Sequence, residues 1–162
     1  MTRLTHVDRR GRARMVDVSG KPPTSRVAVA RALVRMRPQT LALVQQNRVA
    51  KGSVLEVAQL AGIMAAKRTA ELIPLCHAIA LTDVQVRVAP APDAGGVAIE
   101  ATARAVDRTG VEMEALVAAS VAALTVYDMC KASDRGMTIE GVRLVRKLGG
   151  RSGEYRRPGE PA

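Results

Sequence analysis

Asp128 and Lys131 stand three residues apart near the end of Val111 to Lys131, a segment that reads VEMEALVAASVAALTVYDMCK. On a helix that spacing lets a carboxylate and an ammonium group touch. The pair has two readings. As a solvent-exposed ion pair it contributes little. Held at the end of a packed helix, it can exchange protons with a substrate, its acidity set by burial and by mutual charge. Glu112 and Glu114 occupy the other end, and no charged residue lies between Glu114 and Asp128. These two carboxylates are fourteen residues apart. That is close to four helical turns, so they project from nearly one face while lying about 21 Å apart along the axis. One copy of the helix cannot bring both to one small substrate. Two copies running antiparallel across a symmetric contact can.

The remaining candidates are weaker taken singly. His77 follows Cys76 directly in Leu72-Ile73-Pro74-Leu75-Cys76-His77; a lone histidine in an apolar loop is commonly structural, and Cys76 with His77 is too little for a metal. Lys51 sits in a Lys-Gly break, where an exposed lysine needs no special role. Lys67-Arg68 closes a helix, which the helix dipole explains. Lys147-Leu148-Gly149-Gly150-Arg151 has glycine amides and cations that can cradle a phosphate. The chain has no G-x-x-x-x-G-K-[ST] loop, no G-x-G-x-x-G fingerprint and no G-x-S-x-G elbow. Cys76 and Cys130, the only cysteines, make neither a disulfide framework nor a four-ligand zinc site.

The elements that must position these residues follow from periodicity. Residues 1–14, with five arginines, read as a mobile basic arm. Met15 to Val18 is a short extended stretch. Arg26 to Met36 is a strand with Val27, Val29 and Leu33 on one parity. Pro38 opens a helix running to about Asn47. Ser53 and Glu56 have capping-box spacing before a helix whose apolar face is Val54, Val57, Ala58, Ala61, Met64 and Ala65. Pro74 excludes Leu72 to His77 from a helix interior and makes it an apolar loop or turn. Thr82 to Val88 and Val97 to Val106 alternate and form a hairpin across a Pro/Gly-rich connection. Thr109 and Glu112 repeat the capping box before the long helix. Met137 to Leu148 is a last strand, bulged at Gly141 where its apolar parity switches. A basic tail, expected to be flexible, covers 151–162. The order of strand, two helices, strand, strand, helix, strand is that of an α+β, ferredoxin-like fold, a split βαβ with one extra helix in the first crossover. Its antiparallel sheet carries the helices on one face. Residues 15–150 form a single domain.

With no Phe or Trp and two Tyr, the core must be aliphatic. A core of small side chains buries little per residue, and association of copies is a common remedy. The net charge of +10 implies an anionic partner. A small basic RNA-binding protein is one rival reading, although the lack of aromatic residues speaks against base stacking. A non-catalytic oligomeric scaffold or ligand sensor on the same fold is another. No N-terminal apolar run reads as a signal peptide. The alanine-rich helix middle is too weakly apolar to argue a membrane span, so the cytoplasm is the expected compartment, with no membrane as partner. That alanine-rich middle is expected to be a surface on which neighbouring copies pack.

The wording of the segments is more specific than their spacing. MVDVS at Met15 to Ser19, KG at Lys51, AGIMAAKRT at Ala61 to Thr69 and LIPLCH at Leu72 to His77 occur in order. TGVEMEAL at Thr109 to Leu116, ASVAALTVYDMCKA at Ala119 to Ala132 and GGRSGEY at Gly149 to Tyr155 follow. The chain closely resembles the molybdenum cofactor biosynthesis protein C family, the cyclic pyranopterin monophosphate synthases, from about Leu4 to Tyr155. The resemblance implies a ferredoxin-like fold assembled as a homohexamer, a trimer of dimers, with active sites at subunit interfaces. It implies conversion of a cyclised dihydro-GTP, supplied by an upstream radical enzyme, into cyclic pyranopterin monophosphate with release of pyrophosphate. No redox cofactor is implied, and a divalent cation would come with the triphosphate. By the same resemblance Asp128, Lys131 and Lys51 are catalytic. Leu75, Cys76, His77, Glu112, Met113 and Glu114 line the substrate, and Lys67 and Lys147 help hold the triphosphate. The chain departs from the family pattern at Ala70, Ala78 and Leu148, none of them a proposed catalytic group.

Overall fold

A computed structural model describes residues 10–160. The elements are β1 (Thr24–Arg35), α1 (Pro38–Gln45), α2 (Val54–Ala66), α3 (Thr69–Leu72), β2 (Leu81–Ala91), β3 (Gly96–Asp107), α4 (Glu112–Cys130), β4 (Thr138–Leu148) and β5 (Tyr155–Arg156). The strands form one antiparallel sheet in the order β2-β3-β1-β4-β5. Without the short edge strand β5 this is the expected ferredoxin-like arrangement, and α2 and α4 pack together on one face. The four-residue α3 is a further helix in the first crossover that periodicity did not indicate.

The hairpin β2–β3 closes through one 3-10 turn, Pro92–Ala94. The bulge expected at Gly141 is present. Arg31 pairs with Arg143 and Leu33 with Glu140, so β4 spends one more residue than β1 over that interval. Gly141 takes φ +59, a left-handed conformation that L side chains rarely adopt. A second register shift lies between Val29 and Ala30.

The faces of β1, α4 and α2 depart from what apolar size alone suggests. In β1 the parity turned to the helices is Ala28, Ala30, Ala32 and Val34, while Val27, Val29 and Leu33 lie on the other side with Arg31. The reason is α4. Its Ala115, Ala118, Ala119, Ala122 and Ala123 are fully buried within the chain, together with Ala101, Ala103 and Ala105 of β3. Alanine against alanine lets helix and sheet backbones approach closely, which a valine row would prevent. The alanine-rich middle of α4 is therefore the chain's own core and not a surface for neighbouring copies. In α2 the buried face is Val54, Ala58, Gly62, Ala65 and Ala66, whereas Val57, Leu60 and Met64 are exposed. Gly62 sets this rotation: a Cβ there would lie 2.9 Å from the Ala118 carbonyl oxygen of α4. Neither capping box forms its side-chain bond; Ser53 is an N-cap by position only, and α4 has Val111 at its N-cap.

α4 is long and apolar enough to cross a bilayer by length and composition, contrary to its reading as too weakly apolar. Here it is the central helix over the sheet, its apolar side buried in the core. Asp134 is buried and ties the end of α4 to the start of α1. It accepts bonds from the Arg37 amide at 3.0 Å, the Thr40 hydroxyl at 3.2 Å and the Gly136 amide at 3.1 Å. The Arg37 amide foremost holds its carboxyl below the usual carboxylate range. Residues 1–9 of the basic arm lie outside the described residues. Within the segment read as a flexible tail, β5 pairs with β4, and the Arg157 amide donates to the Val145 carbonyl at 2.8 Å.

Candidate active site

The end of α4 brings three sequence-distant charges together. Asp128 Oδ1 accepts a bond from Lys131 Nζ at 2.7 Å, one helical turn on. Its Oδ2 accepts from Lys51 Nζ at 2.7 Å, and Lys51 Nζ also donates to the Asp128 carbonyl oxygen at 3.0 Å. Lys51 comes from the turn before α2, whose first residues pack beside the last turns of α4. All three side chains are about half exposed, so the ammonium groups are open to a ligand. The bonds from Lys131, then Lys51, hold the Asp128 carboxyl at about 2, well below its ordinary value. Asp128 is therefore a carboxylate at neutral pH. It accepts a bond from each lysine and so holds the two side chains side by side.

A second cluster gathers at the start of α4. A cleft of about 480 Å³ is lined by Leu75, Cys76 and His77 from one side and Glu112, Met113 and Glu114 from the other. Pro74 and the end of α3 turn the chain so that Cys76 and His77 face α4. His77 Nε2 donates to the Val16 carbonyl at 2.7 Å, which places the proton on that nitrogen and anchors the Val16–Val18 wall. Glu114 is 3 % exposed, and its Oε2 has no hydrogen-bond partner among the described residues. Burial, with Glu112 and Asp107 nearby, pushes its carboxyl above the ordinary glutamate range. Burial and the charge of Glu114 likewise push the Cys76 thiol up, so Cys76 is a thiol and not a nucleophilic thiolate. An unpaired acid in such a cleft is suited to hydrogen-bonding a polar ring.

Lys67, the C-cap of α2, borders a separate hollow with Ile79, Thr82 and Asp83; Ile79 also lines the acidic cleft, so Lys67 adjoins it. Lys147 is not in the cleft wall. It lies on β4 opposite Ala28 and hydrogen-bonds Ser152. The pairings Val27–Leu148 and Thr24–Asp107 put that end of β4 at the same end of the sheet as the start of α4. Lys21 also lines the cleft, with Thr109 and Gly110. Residue type alone did not single it out, although its place just after the MVDVS segment was a usable signal. Within one chain the lysine–aspartate group and the cleft occupy opposite ends of α4, about 21 Å apart at a 1.5 Å rise per residue. Among the described residues no group of three or more His, Cys, Asp or Glu side chains is arranged to hold a metal ion.

A ferredoxin-like sheet carries paired ammonium groups on a carboxylate at one end of α4 and an acidic cleft at the other, an arrangement suited to proton transfer on a small polar ligand. Residues 15–150 match the model of the MoaC family, and the chain belongs to that family. It is 62 % identical over 162 residues to the cyclic pyranopterin monophosphate synthase of Thermomicrobium roseum, covering 100 % of this chain and 98 % of the relative. It is 59 % identical over 154 residues to the enzyme of the same name from Parvibaculum lavamentivorans, covering 95 % and 96 %. With that from Pelotomaculum thermopropionicum it shares 58 % identity over 162 residues, 100 % and 95 % of the two chains.

Proposed function

We propose that the chain is a phosphorus–oxygen lyase of molybdenum cofactor biosynthesis. It converts the cyclised dihydro-GTP into cyclic pyranopterin monophosphate and pyrophosphate. The observation that carries the chemistry is the Lys51–Asp128–Lys131 group, two ammonium ions 2.7 Å from one carboxylate. Opening a purine-derived ring and closing a pterin requires repeated proton transfers, which paired lysines can perform. Closing a cyclic phosphate with loss of pyrophosphate requires cations on the departing phosphates, the role assigned to Lys67 and Lys147. The scheme shifts protons with no net electron transfer, so it calls for no redox cofactor; a divalent cation would enter with the triphosphate. Glu112, Glu114, Met113 and the Leu75–His77 turn receive the ring. A GTP-derived substrate, handed on by a radical enzyme, supports the cytoplasm as the compartment and speaks against nucleic acid or membrane as partner.

The two half-sites belong together only across a subunit contact. Between them on the outer surface lie Val57, Leu60 and Met64 of α2 and Leu124 of α4, all exposed. The large apolar side chains thus sit outside while alanines fill the core, a distribution that calls for a partner surface. Two copies meeting antiparallel along this strip set the lysines of each beside the acidic cleft of the other, and three such dimers make the hexamer. The test is turnover. Purified protein is incubated with the cyclised dihydro-GTP while pyrophosphate and pterin are followed. Binding without turnover would leave a ligand sensor, salt-sensitive binding to generic RNA with no turnover would leave a nucleic-acid protein, and either result rejects the lyase.

A further inference from the structure

On the sheet face away from the helices, a row of charged side chains crosses four strands. Arg87 of β2 lies opposite Glu100 of β3, Glu100 opposite Arg31 of β1, and Arg31 opposite Arg143 of β4. Arg31 Nε donates to Glu100 Oε2 at 2.7 Å. The last step of the row sets two arginines directly opposite, and like charges so placed destabilise a ladder. Glu160 resolves the conflict. One oxygen accepts from Arg31 Nη1 at 2.9 Å and the other from Arg143 Nε. The carboxylate is only 11 % exposed, and both arginines are about a quarter to a third exposed. Counted together, three arginines face two glutamates, so the row keeps one positive charge with Glu160 in place and two without it. Beside it, a depression of about 580 Å³ is lined by Arg31, Arg87 and Arg143 together with Glu100 and Glu140.

We propose that the Arg31–Arg143 pair is an oxyanion-binding site, occupied here by the protein's own Glu160 and open to an anion of the phosphate class when that carboxylate withdraws. Guanidinium groups accept carboxylate and phosphate oxygens through the same planar donors, so a carboxylate seated between two arginines marks where a phosphate oxygen fits. Glu160 is a tethered ligand. Past β5 the segment is held by the bond from the Arg157 amide to Val145 and by the Glu160 amide to Arg157, at 2.8 and 3.4 Å. A short flexible tether presents its ligand at an effective concentration on the order of millimolar, so free anion at that level competes. The site lies on the far side of the sheet from α4, and none of the chemistry proposed for the lysines uses it.

The experiment is thermal melting of the full chain in inorganic phosphate against chloride at matched ionic strength, for the native protein, Glu160→Gln and Glu160→Gln/Arg143→Gln. The Glu160→Gln protein should melt lower in chloride and gain about 4 °C more from phosphate than the native protein at roughly ten times the dissociation constant. The double variant should lose that extra gain. Phosphate bound at the catalytic lysines shifts all three proteins alike and cancels in the comparison. Should Glu160→Gln fold poorly, a chain ending at Arg157 keeps β5 and the Val145 bond and serves the same comparison. An equal phosphate response in native and Glu160→Gln proteins, or one that survives Arg143→Gln, overturns the proposal.

Discussion

If each active site joins the lysine end of one α4 to the acidic end of another, two dead variants should rescue each other. Lys131→Ala removes one ammonium from the Asp128 carboxylate, to which it is bonded at 2.7 Å. Glu114→Ala removes the buried acid of the cleft. Each alone should lower kcat by roughly 100-fold or more, the usual scale for losing an acid–base or positioning group. The fourteen residues between Glu114 and Asp128 hold the ends about 21 Å apart, too far for one small substrate to touch both in one chain. In a mixed antiparallel dimer, one site receives both intact ends and the other receives both damaged ones. Random reassortment makes half the dimers mixed, so the mixture should recover about a quarter of the native rate. The assay is pyrophosphate release after the two variants are dissociated together and reassembled, with subunit exchange checked by mass. If exchange is complete and the rate stays near 1 % of native, in line with the variants' own losses, the shared site is refuted.

Other perturbations test single links. Glu114→Gln bears on burial: because the native carboxyl is pushed above its ordinary value, its ionisation opposes folding. The two proteins should melt alike below the ordinary glutamate range, and Glu114→Gln should become the more stable as pH rises through it; a pH-independent difference contradicts the buried, unpaired acid. Asp128→Asn should cut kcat by about 100-fold without removing an acid limb at mildly acidic pH, because the native group titrates at about 2. Its contribution to stability is present above its ordinary value of 3.8 and is lost only as pH falls towards 2. Gly62→Ala should raise helix propensity by about 1 kcal/mol, but its Cβ would sit 2.9 Å from the Ala118 carbonyl. Overpacking of about 1–3 kcal/mol should win and lower the melting temperature by a few degrees; a stabilised protein would mean that α2 and α4 are less tightly apposed.

Much of the frame was legible in local pattern. Strict alternation marked β2 and β3, the run of helix formers without Gly or Pro marked α4, and the parity switch at Gly141 marked the bulge, because each is dictated by backbone geometry within a few residues. The segments LIPLCH and TVYDMCK, read as family wording, supplied the names of the site residues. Pattern misled where an element offers two apolar faces. In β1 the valines promised a core that the alanines in fact provide, and in α2 Val57 and Met64 stand where Ala58 and Gly62 are buried. Hydrophobicity says which side chains prefer to leave water; the distance between helix and sheet decides which of them fit.

The sequence by itself determined the order of the elements, the alternation that builds the sheet, and the Asp128–Lys131 pair, whose partners are one helical turn apart. Only the tertiary structure decided that Lys51 closes on Asp128 from seventy-seven positions away, that Glu114 is a buried acid whose Oε2 has no partner among the described residues, and that Glu160 settles between two facing arginines. Those contacts depend on where the whole chain carries each backbone segment. A local pattern records helix or strand and the face of each side chain, but it holds no record of the residue waiting on the other side.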